Sequence, residues 1–249
     1  EIVAARALVS LVISYADVRR KGLSVWGTHR TLLAARGIVG SLALICVYYA
    51  LITLPLAEAT LLQYMHPMFT ALLGLLLLKE GIQRSTVICI AFSITGLIVM
   101  VEPGVFTGAA PALPSLSVAV ALLGAFGSAV AYVLVRRLSL EEDASVIIFY
   151  FPLVALPLSV AILGDQFVMP DGPSLVLLLM VGIFTQIGQL GLTHAMRYGT
   201  AGKTAAYSYI QIIFAVILGW AVFAELPSLW TYVGGGLIIA GALFNLIRR

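Results

Sequence analysis

The sequence predicts an all-α, polytopic membrane fold made of two inverted-topology repeats of five helices, nine transmembrane helices being visible of an expected ten. Three observations carry this: apolar runs of membrane-spanning length, basic residues confined to alternate loops, and a self-similarity that needs no gap at an offset of 145 residues.

Of the 249 residues 61% are hydrophobic and 10% charged, where a soluble domain carries about a quarter charged; the mean hydropathy is +1.09. Runs of about 20 apolar residues, enough to cross roughly 30 Å of hydrocarbon as a helix, recur along the chain. They fall near 2–18, 32–53, 56–78, 85–101, 115–135, 145–163, 174–196, 202–223 and 228–247. Turn-forming or charged stretches separate them, among them RRKG at 19–22, EPGVFTGAAPALPS at 102–115 and GDQFVMPDGPS at 164–174. Short alternating segments of the β-barrel type are not seen.

Alternate loops hold Arg19, Arg20, Lys21 and Arg30, then Lys79 and Arg84, Arg136 and Arg137, Arg197, and Arg248 and Arg249. The intervening loops hold Glu102, Asp165, Asp171 and Glu225 and no Lys or Arg. The positive-inside rule therefore places the basic side, with the C-terminus, in the cytoplasm, and the expected location is a plasma membrane such as the bacterial inner membrane. The pI near 9.0 follows from that asymmetry, so no nucleic-acid partner is expected. Cys46 and Cys89 lie inside apolar spans and read as small hydrophobes.

Shifting the chain by 145 positions aligns Gly37 with Gly182, Tyr64 with Tyr209, Phe69 with Phe214, Gly74 with Gly219, Glu80 with Glu225 and Gly96 with Gly241. The sixth to ninth spans map onto the first to fourth, and the fifth has no mate. We expect a further helix ahead of residue 1, giving a first repeat at 1–104 without its first helix, an external linker at 105–114 and a second repeat at 115–249. Five helices per half invert the second half relative to the first. Inverted repeats are characteristic of secondary transporters with a midplane site between the halves.

Two pairs of segments carry a family likeness. PLAEATLLQYMHPMFTALLGLLLLKE at 55–80 is followed by GLIVMVEPG at 96–104, and AGKTAAYSYIQIIFAVILGWAVFAE at 201–225 by GGGLIIAGALF at 234–244. They resemble the EamA-type repeats of the drug/metabolite transporter superfamily over essentially the whole chain. The resemblance implies ten helices in two inverted halves and the outward movement of amino acids, organic anions or similar small metabolites. The second copy departs from the pattern in having Ile212 where the first has Pro67.

Polar residues fall into helical stripes. Lys203, Tyr207 and Gln211 recur at i, i+4 and i+8, and Gln186, Gln189, Thr193 and Arg197 form a second seam. Tyr64, His66, Gln189, Lys203, Tyr207, Tyr209 and Gln211 are the candidates for substrate recognition. Arg6, Arg36, Glu58, Gln63, Pro67, Gln186, Thr193 and Arg197 are candidates for the pathway or its gates. Each has a plainer reading: the glutamines bond between helices, the tyrosines pack, His66 takes a structural partner, and Lys203 snorkels to the interface. Pro67 has no N–H for the carbonyl of Gln63, so a bend is expected there. Arg6, Arg36 and Lys203 favour a substrate bearing a carboxylate. His66 suggests proton coupling, with uncoupled movement the alternative.

A lipid flippase using the same repeats is the rival function. An intramembrane enzyme is disfavoured: His29, His66 and His194 are scattered, and neither an HExxH motif nor a GxxxxGK[ST] motif occurs. No metal or other cofactor is expected, and the sequence leaves the oligomeric state open.

Overall fold

The computed structural model describes residues 2–54, 56–101, 114–164, 170–223 and 229–247. Those residues form α1 (Ile2–Arg20), α2 (Arg30–Thr53), α3 (Leu56–Gln63), α4 (His66–Leu78), α5 (Arg84–Val101), α6 (Ser115–Leu138), α7 (Ala144–Leu163), α8 (Gly172–Tyr198), α9 (Ala201–Ala206), a 3-10 turn (Tyr207–Tyr209), α10 (Ile210–Phe223) and α11 (Leu229–Ile247). No strand occurs among them. α2, α6, α7 and α8 are long and apolar enough to cross a membrane by length and composition. The 27 residues of α8 reach about 40 Å at 1.5 Å per residue. Its outer face presents Val176, Leu177, Phe184 and Ile187 uncovered, Phe184 at 64% exposure, a surface suited to lipid. The linker at 105–113, Glu102, Asp165 and Glu225 lie outside the described residues, as does the side chain of Glu58 on α3.

The chain forms two compact units, Glu1–Leu42 with Val130–Gly199 and Ala43–Ala129 with Thr200–Arg249. In the first, α1 packs on α7 and α8. Gly182 permits the approach, since a Cβ there would lie 2.6 Å from Val9 Cβ. The basic loops meet at one end of this unit. Lys21 Nζ lies 3.0 Å from Asp143 Oδ1 and 3.1 Å from Asp17 Oδ2. Glu142 accepts from the N–H groups of Thr28 and His29 at 2.5 and 2.6 Å, and Arg136 donates to the carbonyls of Met196 and Arg197 at the end of α8. Acid at a helix start and guanidinium at a helix end both complement the backbone dipole. Asp143 caps α7 by accepting from Ser145 N. Burial opposes its ionisation, but hydrogen bonds from Ser145 and Lys21 hold its carboxyl below the usual carboxylate range.

In the second unit α5 and α11 pack through repeat mates. A Cβ on Gly96 would lie 2.5 Å from the carbonyl oxygen of Gly234, and a Cβ on Gly241 would lie 3.2 Å from that of Cys89. Gly241 is the mate of Gly96 and Cys89 the mate of Gly234, so the two contacts are one contact seen twice, as at a two-fold interface. Going from Cys89 to Gly96 along α5, the partner moves back from Gly241 to Gly234, so the helices run antiparallel. Gly235 and Gly236 meet nothing within 4 Å; of that glycine run, the close contact uses Gly234.

The third and eighth spans, each expected as one helix, are both interrupted. The first stops at Gln63 and restarts at His66, with Pro67 in the opening turn of α4. Proline cannot donate to the carbonyl of Gln63, and its ring crowds that carbonyl, which displaces the break one turn ahead of the residue that causes it. The eighth breaks at Tyr207–Tyr209, the mates of Leu62–Tyr64, without a proline. There Ser208 Oγ donates to Ala205 O at 2.6 Å, a side-chain bond that competes with the helical ladder.

Candidate functional site

The two breaks meet inside the second unit. Tyr64 and Tyr209 stack at 5.9 Å between ring centroids with 26° between planes. In a regular helix the Tyr64 carbonyl would receive the N–H of Met68, which instead donates to Met65 O at 3.1 Å. Tyr209 Oη takes its place, donating to Tyr64 O at 2.9 Å. Gln211 Nε2 donates to Tyr64 Oη, so each broken segment supplies polar groups to the other. Tyr209 is fully buried and His66 nearly so, the His66 ring lying 6.3 Å from that of Tyr64. Of the sequence candidates, then, Tyr64, His66, Pro67, Tyr209 and Gln211 share this crossing. Gln63 lies beside it and donates to Ser128 Oγ at 3.4 Å.

One end of the same unit is closed by a carboxylate. Glu80 Oε2 accepts the backbone N–H of Ala201 at 2.7 Å, so the second residue beyond α4 satisfies the first turn of α9. Lys79, between them, takes a left-handed φ of 54°. A shallow cleft there is lined by Glu80, Gln83, Thr86, Thr200 and Lys203 among others. Lys203 therefore stands with Glu80, while the half-buried Tyr207 lies on the 3-10 turn.

The remaining candidates sort onto α1, α2 and α8 in the first unit. Ser10 Oγ donates to Gln186 Oε1 and Gln186 Nε2 donates to Ser14 Oγ at 2.8 Å, a closed interhelical network. Thr193 Oγ1 donates to the Gln189 carbonyl, and the Arg197 side chain is exposed. Arg36 is 4% exposed. Its Nη2 lies 3.5 Å from Gln189 Oε1, its guanidinium carbon is 5.1 Å from the Phe151 ring centroid, and that of Arg6 is 5.8 Å from the same ring. Phe151, Ser10, Ser14 and Ser128 are absent from the candidates of the sequence. Phe151 lies in an apolar run and the serines at helical spacings shared by ordinary packing residues, so no linear signal marked them. The cap from Glu80 to Ala201 joins groups 121 positions apart. Among the described residues no cluster of three His, Cys, Asp or Glu is placed to hold a metal ion.

Long apolar helices with lipid-suited faces, and two broken helices crossing through repeat mates, define a multi-pass membrane transporter. The model of the EamA-like transporter family matches residues 1–102 and 115–247, and the chain belongs to that family. Over 244 residues it is 32% identical to the pseudopaline exporter CntI of Pseudomonas aeruginosa, covering 98% of this chain and 84% of the exporter. It is 30% identical to human solute carrier family 35 member G1 over 231 residues, 89% of this chain and 63% of that one. A solved crystal structure superimposes with a TM-score of 0.82 over 99% of this chain and 86% of its own, at 22% identity, a likeness of fold. The protein is a transporter and not an enzyme.

Proposed function

We propose that the protein is a secondary carrier that exports small metabolites, amino acids or organic anions, by alternating access at a midplane site between its two repeats. The observation that carries this reading is the crossing at Tyr64 and Tyr209. Broken helices free backbone carbonyls and side chains for a ligand at a depth where an intact helix offers neither, which hydrocarbon permits only where protein or cavity water satisfies them. The carbonyl of Tyr64 lies at such a break and accepts from a hydroxyl of the other repeat. A bond of this kind can break and re-form as the repeats rock.

The membrane is the cytoplasmic one, with the Glu80 end and the C-terminus inside. The outward direction is supported by the name of the exporter CntI and the inside assignment by the one-sided basic loops. Cells producing the full chain, compared with cells carrying an empty vector, should accumulate one or more amino acids or organic acids in the medium and hold less of them inside. Identical extracellular and intracellular metabolite profiles would overturn the reading.

A further inference from the structure

Arg36 has the surroundings of a charge awaiting a partner. It is almost fully buried, six residues into α2, and its Nε and Nη1 have no hydrogen-bond partner among the described residues. Its Nη2 donates to Gln189 Oε1, a neutral acceptor at the 3.5 Å limit. Phe151 covers one face, and no carboxylate pairs with it in the described salt bridges. Space for the group is built in: a Cβ at Gly40, one turn along α2, would overlap Nη1. A second guanidinium, that of Arg6, reaches the same ring. Buried charges are ordinarily paired because desolvation alone is costly. A planar guanidinium meets the two oxygens of a carboxylate along its Nε/Nη2 or its Nη1/Nη2 edge, and each of these edges of Arg36 carries a nitrogen without a partner among the described residues.

We propose that Arg36, stacked on Phe151 and steadied by Gln189, is the anchor for a carboxylate group of the transported metabolite. The substrate class is thereby small carboxylic acids, amino acids included, and not their neutral analogues. This rests on the carrier reading above, and the experiment separates the two.

The full chain is reconstituted in phosphatidylcholine and phosphatidylglycerol vesicles loaded with acid and amide pairs: the amino acids with their amides, succinate with succinamide, benzoate with benzamide. The parent should release at least one acid faster than its amide. Arg36→Gln should slow that acid roughly ten- to a hundredfold, the range of a charge-assisted hydrogen bond, and leave the amide within about twofold of its rate in the parent. Arg36→Lys should restore part of the acid rate. Gly40→Ala, which displaces the guanidinium without removing it, should also lower the acid-to-amide ratio. Without ligand, Arg36→Gln should unfold at the same temperature as the parent or higher, since it removes an uncompensated buried charge. Acid release by Arg36→Gln at the parental rate, equal loss of acid and amide, preference of the parent for the amides, or a lowered unfolding temperature would each overturn the anchor and leave the carrier reading standing. Release of neither set by the parent would overturn both.

Discussion

Replacing Tyr209 by phenylalanine removes one oxygen and keeps the ring. The stack on Tyr64, at 5.9 Å, and the buried apolar area survive, so the change isolates the bond from Tyr209 Oη to Tyr64 O, 2.9 Å long between buried groups. Removing one partner of a buried hydrogen bond costs up to about 1–3 kcal/mol. Interhelical side-chain bonds in membrane proteins average about 0.6 kcal/mol and reach about 1.7, so a loss of about 1–2 kcal/mol is expected. In a chain of this size that is a fall of roughly 2–8 °C in unfolding temperature. If the bond is made in one transport conformation only, the same energy shifts the ratio of conformations by about 5- to 30-fold, and release from loaded vesicles changes with it. Tyr64→Phe is the control, because it removes the acceptor of Gln211 and leaves the carbonyl bond intact. A Tyr209→Phe protein with the unfolding temperature and release rate of the parent would refute the idea that this bond ties the broken helices together.

Other expectations concern closure, pH and packing. Glu80→Gln weakens the cap on Ala201 N by about 1 kcal/mol; a cysteine at Gln83, in the adjoining cleft, should then alkylate several-fold faster than in the parent, and an unchanged rate would count against the closure. The Asp143 carboxyl is held below its ordinary range in the folded protein, so its contribution is present at neutral pH and is lost as pH falls below about 4 through the lowered folded value. Lys21, at 40% side-chain exposure, limits that pair to about 1 kcal/mol or less; Asp143→Asn should cost this at pH 7 and flatten the acid limb of an unfolding-against-pH curve. Gly96→Ala forces a methyl to within 2.5 Å of the Gly234 carbonyl oxygen and should destabilise by about 1–3 kcal/mol, whereas Gly236→Ala, with open space around it, should unfold at or slightly above the parental temperature.

The helical, membrane-spanning class was legible because the bilayer imposes both length and composition. The mates Gly96 and Gly241 were legible as well, since an offset aligns them whether or not they touch; that they pack antiparallel required coordinates. The breaks were half legible. Pro67 announces a disturbance through its missing N–H, but the second break has no proline, and its cause, a local serine bond together with the reach of Tyr209 to Tyr64, exists only in three dimensions. Arg36 was visible as a basic residue in an apolar span. Its isolation depends on Phe151 and Gly40, which are unremarkable in a sequence of this composition. Gln186 read equally as pathway or as interhelical glue, and its bonds to Ser10 and Ser14 leave its amide engaged between helices.

The most direct measurement locks the end that Glu80 closes. A Cβ on Gly74 would lie 3.4 Å from Ala201 Cβ, just under the range of about 3.5–4.5 Å for a disulfide, so a shift of a few tenths of an ångström admits the bond. With Cys46 and Cys89 replaced by alanine, the double variant Gly74→Cys, Ala201→Cys should cross-link on oxidation and hold the end of α4 against the start of α9. Alternating access requires that contact to open in each cycle. The account predicts that the oxidised protein in vesicles stops releasing the acids that the reduced protein releases, and that reductant restores the rate. Undiminished release by fully cross-linked protein would contradict it.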